Sequence, residues 1–159
     1  DAKGQVENFY MNDKCAAGTG AFLVEISDKA GIDIKEMSRL AEQSDYKQEL
    51  NSFCTVFAKT EIMKWIFDGQ PIENLAKGIY LSIGNRIAKM RLNPAIPIVM
   101  IGGVVAHHPF LKTLLEEKLD KKIITLQDSQ YTVSLGAALL AREQILYNKN
   151  QENVLVKNN

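Results

Sequence analysis

The amino-acid sequence predicts an α/β domain. Two short apolar runs rich in β-branched residues, Ile96 to Ile101 and Lys122 to Leu126, have the character of buried parallel strands. Each is followed by a segment with apolar residues at helical spacing. Upstream lie four more helix-periodic segments and one short strand candidate. The order is strand, helices, strand, helix, strand, helix. Its last part is a β–α–β–α unit, expected to be parallel and right-handed. A three-layer arrangement follows, with few strands for its many helices, so the domain is expected to be incomplete.

Taken in order, Asp1-Ala2-Lys3-Gly4 reads as a turn, and Gln5 to Met11 as a strand. A chain that begins at Asp1, inside such a turn, carries the expectation of a fragment of a longer protein. A first helix is expected from Gly20 to Lys29, with Phe22, Leu23, Ile26 and Ala30 inward and Gly31 as its stop. A second should begin near Asp33 and bury Ile34, Met37, Leu40 and Ala41. Ser44 to Phe53 is polar and irregular, a surface loop. A third helix, capped by Ser52 or Thr55, runs through Phe67 with Phe57, Ala58, Ile62, Trp65 and Ile66 inward and Gly69 at its end. Pro71 at N1 opens a longer fourth helix carrying Leu75, Ala76, Ile79, Ile83, Ile87 and Met90. Gly102-Gly103 follows the first apolar strand directly. Pro109 starts a helix with Phe110, Leu111, Leu114, Leu115 and Leu119 inward. Ser134 opens the last helix, with Leu135, Ala138, Leu139, Ile145 and Leu146 as its apolar face. Residues 1–149 are expected to form the domain. Residues 150–159, rich in Asn and Lys, form a flexible tail, frayed or weakly docked as an edge strand.

The 159 residues suffice for one hydrophobic core. Nineteen basic and nineteen acidic side chains balance, which removes the electrostatic case for a nucleic-acid partner or an anionic membrane surface. The longest apolar run, Pro94 to Ala106, falls short of the ~20 residues a bilayer requires and is broken by two prolines and two glycines. Two cysteines without a secretory context predict reduced thiols and a cytoplasmic setting.

The stretch with most chemistry is Met11 to Phe22, in which Cys15 precedes Gly18-Thr19-Gly20 and a helix start. Backbone N–H groups point outward at such a start, negative charge is welcome, and thiolate is the form of cysteine that binds metals. Cys54 also stands at a helix start. Either cysteine alone is more simply a small buried hydrophobe. As ligands the pair makes half of a four-ligand site, which a two-fold symmetric dimer would complete. Gly18, Thr19 and Gly20 could let a backbone approach phosphate, or could be an ordinary capping turn. Gly102 and Gly103 lie where ligands bind, at the carboxyl end of a strand, and an ordinary tight connection explains them as well. Gly78 and Gly84 within the long helix imply close packing or binding. His107 and His108 read as N′ and N-cap residues of the following helix rather than catalysts. Glu61 and Lys64 read as a solvated pair. No Ser–His–Asp arrangement, Walker A loop or HExxH is present, and the catalytic residues are left unassigned.

Asn12-Asp13-Lys14-Cys15-Ala16-Ala17-Gly18-Thr19-Gly20 closely resembles the cysteine motif of the ATPase activators of 2-hydroxyacyl-CoA dehydratases, relatives of the benzoyl-CoA reductase ATPase subunits. Cys54-Thr55-Val56-Phe57-Ala58-Lys59-Thr60-Glu61 is similar to that family's second cysteine motif, at the family's separation. Val99 to Val104 resembles the adenosine motif of the wider sugar kinase, Hsp70 and actin superfamily, and Ser134 to Leu139 the family's terminal helix. The likeness runs from about Asp1 to Arg142. It implies half of an actin-like ATPase (RNase H-like) fold, the second lobe, with a mixed sheet flanked by several helices. It further implies a homodimer with one [4Fe-4S] cluster held by Cys15 and Cys54 of each subunit. ATP or ADP with Mg2+ would bind near Gly18, Thr19, Gly20, Gly78, Gly102 and Gly103. ATP hydrolysis would then gate transfer of a low-potential electron to an acyl-CoA dehydratase or reductase in anaerobic metabolism.

The departures from the pattern sharpen these expectations. The family's first lobe, its phosphate-binding loop and its acidic glycine-rich segment are not in this sequence, so the chain alone is expected neither to hydrolyse ATP nor to hold a stable cluster. The familiar Asn after the Gly-Gly motif is replaced around His107 and His108, and Ala21 stands where many relatives carry arginine. Two other readings compete: a sugar-kinase-like phosphotransferase lobe, and a non-enzymatic interaction domain whose cysteines are core residues.

Overall fold

The computed structural model describes residues 6–10, 18–51, 54–90, 92–93 and 95–157. The helices are α1 (Gly18–Ala30), α2 (Met37–Glu42), α3 (Thr55–Phe67), α4 (Ile72–Ala88), α5 (Gly103–His107), α6 (Pro109–Leu119) and α7 (Thr132–Lys157). The strands are β1 (Ile98–Met100) and β2 (Ile123–Thr125), and a 3-10 turn spans Ser129–Tyr131. β1 and β2 pair in parallel, with Ile98 opposite Ile123 and Met100 opposite Thr125. They are joined by α5 and α6, the expected β–α–β crossover.

The core is helical and centred on α4, which packs against α1, α2 and α6. Leu75, Ala76, Ile79 and Ile83 of α4 close on Phe22, Leu23 and Ile26 of α1, Met37, Leu40 and Ala41 of α2, and Phe110, Leu111, Leu114 and Leu115 of α6. These stripes recur every three to four residues, so each helix presents one continuous apolar face. Gly31 and Gly69 end α1 and α3 with φ of 69° and 72°, the left-handed geometry that favours glycine at a helix C-terminus. The two mid-helix glycines of α4 are packing devices. A Cβ on Gly78 would lie 2.6 Å from the Trp65 ring and 3.0 Å from the Gln48 carbonyl, and one on Gly84 would lie 2.8 Å from Leu114.

Several expectations are corrected. Residues 6–10 form no strand, because no described segment pairs with them. α2 starts at Met37 rather than near Asp33, whose carboxylate instead accepts from the Lys35 N–H at 2.9 Å and holds a turn. The 44–51 segment is irregular as expected, but Ser44 and Leu50 are buried beneath it. On α3, Ala58, Ile62 and Trp65 face inward while Phe57 and Ile66 are exposed. Cys54 takes the N-cap position there, so Thr55 is the first helical residue, and Ser52 lies outside the described residues. Pro71 caps α4 one residue before the helix rather than occupying N1. Among the described residues the two strands are covered on one face only. α7 starts at Thr132, and Leu135, Leu139, Ile145 and Leu146 on it are exposed. It runs on as helix to Lys157, so the expected edge strand does not form. No helix among the described residues is long and apolar enough to cross a membrane.

Candidate functional site

Two glycine-bearing turns distant in sequence come together at the carboxyl end of β1. The first is the start of α1, where Gly18 has φ 71° and nothing lies within 4 Å of where its Cβ would be. Two residues on, a Cβ at Gly20 would lie 3.4 Å from Val104 Cγ2, so the first turn of α1 rests directly on α5. Thr19 lies between them, half-buried. The second turn is Gly102-Gly103, which carries the chain from β1 into α5. Gly102 has φ 105°, a conformation open to glycine, and its N–H donates to the Ser129 carbonyl at 2.8 Å. The early N–H groups of α1 have no partners within the helix. In open α/β sheets this is where ligands sit, beyond the carboxyl ends of parallel strands. The structure therefore brings Gly18, Thr19 and Gly20 into one neighbourhood with Gly102 and Gly103. It places Gly78 in the packed interior beneath Trp65.

Behind the second turn lies a polar chain that the sequence pattern gave no sign of. His108 is buried at the junction of α5 and α6, and its Nδ1 is hydrogen-bonded to the Tyr80 hydroxyl at 2.7 Å. The Tyr80 hydroxyl also shares a hydrogen bond with Ser38 Oγ at 3.2 Å. His108 does take the N-cap position of α6, but its side chain makes no capping bond and turns inward instead. Burial lowers the His108 pKa, with the neighbouring His107 adding to the shift. Burial raises Tyr80 to about 12. Both groups are therefore neutral near pH 7, which suits an interior hydrogen bond. His107 points the other way, with Nε2 2.9 Å from Gln130 Oε1.

Of the two cysteines, Cys15 lies outside the described residues. Cys54 is exposed immediately before α3, in extended backbone geometry (φ −86°, ψ 125°), and its side chain does not cap the helix. An exposed thiol at a helix N-terminus suits a metal-bound thiolate. Among the described residues no group of three or more His, Cys, Asp or Glu side chains could hold a metal ion. Among the described residues the chain thus offers Cys54 as a donor without a closed cage around it. The Glu61 carboxylate on α3 accepts from the Asn51 backbone N–H at 2.9 Å and from the Asn51 side-chain amide at 2.7 Å, in place of the expected pair with Lys64.

A model of the BadF/BadG/BcrA/BcrD ATPase family matches residues 1–141. The chain is 34% identical over 146 residues to a 2-hydroxyisocaproyl-CoA dehydratase activator of Clostridioides difficile, covering 91% of this chain and 54% of that protein. It is 35% identical over 145 residues to an activator of lactoyl-CoA dehydratase from Anaerotignum propionicum, covering 90% and 56%. Among solved structures, the activator of the 2-hydroxyisocaproyl-CoA dehydratase from Clostridium difficile with bound ADPNP superposes with a TM-score of 0.81. That match has 31% identity and covers 95% of this chain and 57% of that one. The chain spans about half the length of the relatives it matches.

Proposed function

The chain belongs to the BadF/BadG/BcrA/BcrD ATPase family, and on that premise we propose that it is the second, nucleotide-binding lobe of an ATP-dependent activator of an acyl-CoA dehydratase or a related reductase. The observation that carries this reading is the contact of α1 with α5, Gly20 against Val104, which sets the Gly18-Thr19-Gly20 turn beside Gly102-Gly103. Glycine backbone at both turns leaves room for a phosphate to approach N–H groups at the start of α1. ADPNP bound to a structural neighbour supports ATP or ADP, with Mg2+, as the ligand. Residues 1–149 would form the lobe and 150–159 its tail, although α7 crosses that boundary without a break.

Cys15 and Cys54 are the residues that would hold a [4Fe-4S] cluster, two from each subunit of a homodimer. The exposed position of Cys54 ahead of α3 supports this, because a ligand shared across a two-fold axis must be reachable from outside its own chain. Such a cluster supplies one-electron chemistry at low potential. The chain's own part is to present Cys54 at the head of α3, a helix that packs on α1 and so on the helix that begins at the proposed phosphate turn. That link is a route by which nucleotide state could bias the cysteine end.

Anaerobic iron–sulfide reconstitution of the complete two-lobe protein tests the reading. A brown dimer that binds MgADP and loses its colour on Cys54→Ser supports the activator. A colourless monomer that binds nucleotide favours a phosphotransferase lobe of the same superfamily, and binding of neither favours an interaction domain. The chain alone should release no phosphate from ATP, since the residues of the opposite lobe are not in it.

A further inference from the structure

The short helix α5 has little to hold it in place. It comprises five residues, Gly103–His107, none of them buried, and it hangs from Gly102, a glycine in left-handed geometry. Such a segment buries too little apolar surface to fix its own orientation. Val104 gives it one apolar contact with the core, against the first turn of α1, and polar ties at its two ends add to that. At the start, the Gly102 N–H donates to the Ser129 carbonyl, and near the end His107 meets Gln130. Both ties run to the same 3-10 turn, in which Ser129 is buried and Gln130 is exposed. The third tie is different in kind. His108 closes α5 through its N–H, which donates to the Val104 carbonyl at 2.8 Å, and opens α6 through its carbonyl, which accepts from the Leu111 N–H at 3.1 Å. Its ring then enters the core and meets Tyr80 of α4, which is completely buried. Tyr80 is itself braced by an edge contact with Phe110, ring centroids 5.2 Å apart, and by Ser38 of α2.

We infer that His108 is the positioning residue of the Gly102-Gly103 turn, anchoring the α5–α6 elbow through Tyr80 to α4 and through Ser38 to α2. The chemistry suits the task. A neutral imidazole and a neutral phenol form a directional bond in a site closed to water, where an unmatched partner is costly. The tie also joins the turn facing α1 to two core helices, so that a shift at either is felt at the other. Its consequence for nucleotide rests on the functional reading above, whereas its consequence for the elbow does not.

The test separates the two. Amide hydrogen exchange is followed in the intact chain without nucleotide, reading Gly102, Ala106 and His108 (or its replacement) against Leu23 and Ile26 in α1. Tyr80→Phe, which removes only the hydroxyl, and His108→Ala should each speed exchange at the elbow roughly tenfold while leaving the α1 amides unchanged. His108→Asn, whose amide can stand where Nδ1 stands, should restore most of the protection. Unchanged exchange at the elbow in both Tyr80→Phe and His108→Ala overturns the inference. So does acceleration spread evenly over α1 and the elbow, which would mark a general packing loss. Binding of MgADP is measured in parallel on the two-lobe protein. Its absence in the wild type, with the elbow effect intact, breaks the nucleotide reading alone. Normal binding with an unaltered elbow breaks the positioning role alone.

Discussion

The helical core and the sheet side of this molecule were written in the same apolar alphabet, yet the described residues bury only one of them. Around α4 the stripes of α1, α2 and α6 close on one another, and Leu23, Ile26, Ala76 and Ile79 lose all contact with solvent. On the sheet side, Ile123 is buried while its neighbour Ile124 is 49% exposed, and Val99 opposite it is 48% exposed. Strand residues alternate between faces, so a run that is apolar at every position asks for cover on both. Here one face has it. α7 repeats the lesson at larger scale, since Leu135 and Leu140 on it are more than 60% exposed. Apolar pattern states that a residue favours burial, and says nothing about which stretch of protein buries it.

The strongest way to break this comparison is to empty the core. Phe22 is buried in α1 against the other core helices, so Phe22→Ala should cost about 3–5 kcal/mol through lost transfer energy and the cavity left behind. Urea denaturation with an unchanged slope would read this directly; a loss below about 1 kcal/mol would mean the helices are not packed as described. Gly78→Ala acts by the opposite route. The added methyl meets Trp65 at 2.6 Å, and overpacking of this kind typically costs about 1–3 kcal/mol. Trp65→Phe removes the outer ring atoms that collide, so the double variant should recover most of that loss. Additive single-variant effects would show that the clash lies elsewhere.

What was readable in the sequence follows the same division. The longer helices, the glycine stops of α1 and α3 and the inward residues of α1, α4 and α6 were legible because period 3.6 and left-handed glycines are local signals, whereas the five-residue α5 read only as a connection. The proximity of Gly18-Thr19-Gly20 to Gly102-Gly103 was hinted at only by resemblance, for no local rule connects turns more than eighty residues apart in sequence. Phe57 and Ile66 were misread as inward because α3 carries apolar residues around most of its circumference, and periodicity cannot choose among faces that are all apolar. The Ser38–Tyr80–His108 chain was invisible, since a serine, a tyrosine and a histidine on three different elements share no spacing. The role of His108 as an N-cap by position was legible; that its ring enters the core was not.

A subtler effect should appear on titration. Burial holds His108 below its ordinary pKa of 6.5, so the unfolded chain takes up a proton there before the folded one does. Its contribution is fully present above pH 6.5 and falls away as pH drops through the folded value. Glu116 behaves likewise in a lower window. Its carboxylate accepts from the Ile123 N–H at 2.8 Å, which holds its pKa below the ordinary 4.5, and that tie between α6 and β2 is lost as pH falls further. Denaturation midpoints followed from above the ordinary histidine pKa to well below the ordinary carboxylate pKa should therefore decline in two steps. His108→Asn should flatten the upper step and leave the lower, while Glu116→Gln should do the reverse. A single step untouched by either variant would sink both assignments.

The smallest expected effect is the most discriminating one for the comparison itself. Leu140 sits in α7, 68% exposed, next to Leu139 of the expected apolar face. Were α7 covered at this position, Leu140→Ala would create a cavity and cost several kcal/mol, in the range of about 2–5 expected for a buried leucine. In the structure described here the same change removes little buried surface and slightly favours helix, since alanine has the highest helix propensity. Stability of the chain should therefore shift by no more than about 0.5 kcal/mol. Phe22→Ala and Leu140→Ala measured side by side in urea thus place the two regions on one scale. A large loss at Leu140 would mean that α7 is covered in solution, by a second copy or by an altered packing of its own chain. Protein concentration would then separate those two, because only a copy-dependent cover makes the midpoint rise with concentration.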